Sequence, residues 1–163
     1  MMRKIIILLV ISTIITSCGN KTYTNVNSMI QTELKLNASA IVTTVEVEGG
    51  FISFFERDPH NDIGVVLYSG TEGHIKFQGN GGFLDITDNW HFTAGKIAEK
   101  PYSIYYGILP NSSNKNVNLV LQKSNLSKKV TLINLPSSKT MWFAIFDGRV
   151  EDTNVSLKNS KSI

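Results

Sequence analysis

One cysteine, four prolines and no block of like charge are found among the 163 residues. A single cysteine excludes an internal disulfide framework and any zinc or iron–sulfur site built on several thiolates. A formal net charge of +3 with so little proline excludes collagen-like and disordered chains. No Gly-x-x-x-x-Gly-Lys-Ser/Thr phosphate loop, no Gly-x-Ser-x-Gly elbow and no Gly-x-Gly-x-x-Gly opening a helix occurs. The longest unbroken apolar run, Ile5 to Ile11, is too short to cross a hydrocarbon core of about 30 Å. The length suits one domain.

What is present is concentrated first at the N-terminus. Arg3 and Lys4 precede the apolar run, which Ser12-Thr13-Ile14-Ile15 continues, and Ile15-Thr16-Ser17-Cys18 follows. A basic end, an apolar middle and small residues before a cut describe a secretory signal. The last four residues resemble the lipobox of bacterial lipoproteins, an aliphatic residue and two small residues before a cysteine. The resemblance implies a diacylglyceryl thioether on Cys18, cleavage before it and acylation of the new amine. Two or more chains are needed because one alone binds a membrane only marginally. The organisation expected is a signal peptide over 1–17, a polar tether over 18–24 and one β-rich domain over 25–163. The location expected is the extracytoplasmic face of the cell membrane. Gly19 stands where double-membrane bacteria place the aspartate of inner-membrane retention.

Charge divides unevenly along the remainder. Gly19 to Glu99 carries five basic and ten acidic residues, and Lys100 to Ile163 carries nine basic and three acidic. The lysines are spread singly, which reads as solvated strand faces. Outside the cell, nucleic acid is not an expected partner.

Val26, Met29, Ile30 and Leu34 recur at helical spacing, with Asn27 or Ser28 as cap, and predict one short helix. After Asn37 the period becomes two. Strands are expected over Ile41 to Glu48, Phe51 to Glu56, Ile63 to Ser69, His74 to Phe77, Phe83 to Ile86 and Trp90 to Thr93. Others are expected over Tyr102 to Leu109 and Val117 to Leu121, around Val130 and Leu132, over Thr140 to Phe146, and around Val155. Gly49-Gly50 reads as a hairpin turn, and Phe77 to Gly82 as a bulge or tight turn that ends a strand. Eight to ten short strands with turns between them imply an all-β fold. An antiparallel sandwich or partly closed barrel with one N-terminal helix is expected. Along Tyr102 to Tyr106, alternation places Tyr102, Ile104 and Tyr106 on one face and Tyr105 on the other.

The layout beyond Cys18 resembles small, largely uncharacterised secreted proteins and lipoproteins of spore-forming bacteria. The shared features are the short helix, the Val47-Glu48-Gly49-Gly50-Phe51-Ile52-Ser53-Phe54-Phe55 strand pair and the glycine-rich Gly73 to Gly82. Tyr105-Tyr106-Gly107-Ile108-Leu109, Asn116-Val117-Asn118-Leu119-Val120 and Met141-Trp142-Phe143-Ala144-Ile145-Phe146 complete the pattern. It implies a fold and no activity.

Three groups of residues are candidates for chemistry. Asp58, His60 and Asp62 form the densest polar cluster, and with His74 or His91 they would serve a metal-assisted hydrolase. Asp-Pro and Asn-Asp are also ordinary turn chemistry, and the cluster reads primarily as a turn. Trp90, Tyr105 and Trp142, with Tyr102 and Tyr106, would make a sugar-stacking platform if exposed, or core packing if not. Cys18 is the lipid attachment point. The function expected is therefore a lipid-anchored, non-enzymatic binding or accessory module without cofactor or metal. Its partner would be the membrane together with a wall glycan or surface protein. The alternatives are the hydrolase above and an immunity lipoprotein that sequesters a toxin.

Overall fold

The structure, a computed structural model, describes residues 21–36, 40–57, 62–71, 73–85, 90–109, 116–135 and 137–159. The chain forms one helix, α1 (Val26–Leu34), and eleven strands among these residues. β1 (Ala40–Val47), β2 (Gly50–Arg57), β3 (Asp62–Thr71) and β4 (His74–Asp85) form a meander, the first sheet. β5 (Trp90–Ile97), β6 (Lys100–Ile108), β10 (Thr140–Asp147) and β9 (Thr131–Asn134) form the second, in that order. β11 (Val155–Asn159), β7 (Val117–Leu121) and β8 (Leu126–Lys129) form the third. Among the described residues all pairings are antiparallel and no sheet closes on itself, so the fold is an open sandwich rather than a barrel.

Three apolar layers hold the elements in a stack. Ile52, Phe54, Ile63, Val65 and Leu67 of the first sheet meet Ile104, Tyr106, Met141 and Phe143 of the second. Tyr105, Trp142, Ala144 and Phe146, from the opposite face of the second sheet, meet Val117, Leu119 and Leu121 of the third. Met29 and Ile30 of α1 cover Phe55, Val66 and Tyr68 on the outer face of the first sheet. The central strands, β2 and β3 of the first sheet and β6 and β10 of the second, are thus buried on both sides. This is why β6 and β10 read as near-continuous apolar and aromatic runs, while β7 alternates. The alternation expected at Tyr102, Ile104, Tyr105 and Tyr106 is observed, with Tyr105 alone facing the third sheet.

Two local expectations are corrected. The helix is capped by Asn25, whose side chain accepts from the Ser28 backbone N–H at 2.9 Å, with Ser28 reciprocating as the third helical residue. The glycines of Phe77 to Gly82 do not end a strand, because β4 runs unbroken through them. Its register against β3 slips between Leu67 and Tyr68 and again between Gly64 and Val66. Each slip leaves one extra residue on β4, and Gly82 takes a φ of +76° at the second. A bulge that needs left-handed backbone uses glycine because no Cβ opposes that conformation.

Candidate functional site

α1 has nine residues and is about 14 Å long, whereas the ten residues of β3 extend about 33 Å. The helix therefore covers only part of the outer face of the first sheet. Beside its first turn an apolar groove of about 300 Å³ remains. Phe51, Tyr68 and Ile75 come to it from the sheet, and Thr24, Asn25 and Val26 from the chain entering α1. Thr44, Gly70 and Thr71 complete its lining.

Each wall of the groove has a local cause. Tyr23 and Ile75 exchange both backbone hydrogen bonds, at 2.8 and 2.9 Å, and the Gly73 N–H donates to the Thr24 carbonyl at 3.1 Å. These bonds bind the incoming chain to the β3–β4 hairpin. Tyr23 and Thr24, at the end of the polar stretch 18–24, are thus bonded to the first sheet. The Tyr23 hydroxyl donates to the Glu33 carboxylate near the end of α1, clamping the helix from below. That bond, reinforced by burial and by the carboxylate charge, pushes the Tyr23 hydroxyl up to about 12. On the sheet side, the Phe51 and Tyr68 rings stack with centroids 5.4 Å apart. The Tyr68 hydroxyl joins Ser53 Oγ at 3.0 Å, and Ser53 joins Thr44 Oγ1 at 2.7 Å. This chain gives each of the three hydroxyls a partner, with two of their three donors used within it, and the rest of the groove's surface is mainly apolar.

The polar candidates are distributed elsewhere. Asp58 and His60 lie outside the described residues. Asp62, at the start of β3, is buried and held by Arg57 through Nε at 3.0 Å and through Nη2. The same guanidinium lies 4.3 Å from the centre of the Phe83 ring. His74 is exposed at the β3–β4 hairpin, whereas His91 packs edge-on to Tyr106 with centroids 5.4 Å apart. Gly82 stands against the His91 ring, eight residues along β4 from His74, so the two imidazoles sit at separate parts of that strand. The strand geometry does not bring these histidines together. Among the described residues no group of three His, Cys, Asp or Glu side chains could hold a metal ion.

Of the aromatic platform, Tyr105 and Trp142 are buried in the core between the second and third sheets, and Trp90 packs against that core. The Tyr105 and Trp142 rings serve packing rather than a solvent-facing surface, and Trp90 is half-buried. Phe92 and Trp90 lie 4.8 and 6.2 Å from Tyr105, centre to centre. The Tyr105 hydroxyl accepts from the Asp152 N–H at 2.7 Å and donates to the Val150 carbonyl at 3.1 Å. Burial pushes the Tyr105 hydroxyl up.

Asp152 was not singled out by any motif. Burial alone would raise its carboxyl, but backbone N–H groups of Ser124, Asn154 and Lys123 outweigh burial and hold it below the usual range. It ties the β7–β8 turn to the segment before β11. The groove also escaped the sequence reading, since its lining comes from four strands and the helix entry. Only the Asn25-x-x-Ser28 capping pattern was a readable local signal for one wall. No known protein family, no curated protein and no solved structure matches this chain.

Proposed function

We propose that this chain is a lipid-anchored, extracytoplasmic binding module that uses the groove beside α1 as its site. The observation that carries the reading is a short distance in sequence. Cys18, at the end of the Ile15-Thr16-Ser17-Cys18 pattern, lies five residues before Tyr23, the first of the described residues whose backbone is hydrogen-bonded to a strand. Five residues span at most about 18 Å, so an anchor on Cys18 would hold the groove end of the domain at the membrane surface. A non-enzymatic role accords with the engagement of the buried carboxylates, Asp62 by a guanidinium and Asp152 by backbone amides.

The test is Cys18→Ser in the full chain, followed by membrane fractionation and mass measurement of the peptide bearing residue 18. The native protein is expected in the membrane fraction with an acyl-bearing N-terminal cysteine. The variant is expected to remain uncleaved and unacylated. An unmodified Cys18 in membrane-associated native protein would refute the anchoring.

A further inference from the structure

The groove lies beside the segment that leads to the anchor, and its lining is mainly apolar. Thr24 and Asn25, which line it, are six and seven residues from Cys18. The anchored end is thus within about 22 Å of the groove mouth even for a fully extended link. One leaflet of a hydrocarbon core is about 15 Å deep, which sets the length of an acyl chain on the same scale. We infer that the groove seats one fatty acyl chain, and that this chain is the protein's own, borne on Cys18. The inference rests on the anchoring proposed above.

The groove suits such an occupant in shape and chemistry. Phe51, Tyr68, Ile75 and Val26 give it apolar surface, and the hydroxyls of Thr44, Ser53 and Tyr68 are already bonded to one another. An alkyl chain places no demand on those groups and leaves none unpaired. A bilayer and the groove offer an alkyl chain similar surroundings, so the difference appears when the protein leaves the bilayer. In water the seated chain is shielded, and its exposure is what the groove prevents.

The experiment uses the native protein made in bacteria fed hexadecanoate bearing a diazirine, extracted and then freed of detergent. On illumination the carbene inserts into whatever lies beside the chain, and digestion maps the joined peptides. Crosslinks from the Cys18 peptide to peptides containing Phe51 and Tyr68 to Ile75 are expected. Thr71→Trp, which fills the groove from the exposed hairpin, should lower their yield several-fold. Thr24→Trp should do the same from the opposite wall and stands in if the first variant fails to fold. An acyl-bearing Cys18 whose crosslinks fall only on other surfaces, or on none, would overturn the groove assignment and leave the anchoring intact. A Cys18 peptide without acyl mass would overturn both.

Discussion

Tyr105 and Tyr106 are adjacent in the chain, both fully buried, and belong to different hydrophobic layers. Tyr106 faces the first sheet and Tyr105 the third. Their hydroxyls differ as sharply. Tyr105 bridges Val150 and Asp152, whereas the Tyr106 hydroxyl finds no hydrogen-bond partner among the described residues. Burial, with the Asp62 charge adding to it, pushes the Tyr106 hydroxyl well above its ordinary value.

Tyr106→Phe is therefore expected to be neutral or stabilising by up to about 1 kcal/mol, because the lost hydroxyl is desolvated without compensation. Tyr105→Phe removes a bonded hydroxyl, leaves the Asp152 N–H unpaired, and should cost about 1–3 kcal/mol. Denaturant unfolding of the two variants checks the contrast. Equal losses would mean that the Tyr106 hydroxyl is satisfied.

Trp142→Ala should destabilise the fold by about 3–5 kcal/mol through a cavity in the second core. Its effect on any ligand should follow from lost folded protein alone. Thermal unfolding checks the first part. Binding per folded molecule, if reduced, would return Trp142 to the site.

Arg57 and Asp62 form a largely desolvated pair, with side-chain exposures of 19% and 10%. Arg57→Ala leaves Asp62 buried without its cation and removes the cover over Phe83, at a cost of about 3 kcal/mol. Replacing both partners at once, Arg57→Met with Asp62→Leu, should recover most of that loss. A double-mutant cycle by chemical denaturation reads the coupling.

Tyr23 sets an alkaline limit. Its hydroxyl is raised by the bond to Glu33, so the folded state holds that proton more tightly than the unfolded chain does. The stabilisation is fully present below about pH 10, the unfolded value, and is lost as pH rises through about 12. In Tyr23→Phe the share of alkaline destabilisation belonging to α1 should vanish. Helix circular dichroism against pH in the two proteins checks it, and identical alkaline limbs would rule the clamp out.

Much of the fold was legible because periodicity is a local property. Val26, Met29, Ile30 and Leu34 mark α1, and the alternation through Val117, Leu119 and Leu121 marks a half-buried strand. The continuous run of Met141 to Phe146 is what burial on both faces requires. Phe77 to Gly82 was legible as a bulge or a tight turn, and the bulge is what forms, but the sequence cannot distinguish the two, so a break between two strands was expected there. Only the partner strand β3, whose register slips by one residue at each site, keeps β4 continuous. Among the described residues eleven strands stand where eight to ten were expected, because the mainly polar Leu126–Lys129, exposed at every residue, pairs with β7 as β8 and carries no apolar alternation to mark it.

The sequence by itself determined an all-β chain with one helix, the faces of its strands, and the lone cysteine as the candidate anchor. These depend on neighbours two to four residues apart. Tertiary structure decided that three sheets stack, that Trp142 and Tyr105 are packing rather than platform, and that His74 and His91 are far apart. It also left a groove where a short helix meets a longer strand. Such features depend on which faces meet across the core, and contacts between distant segments leave no periodic mark in the chain.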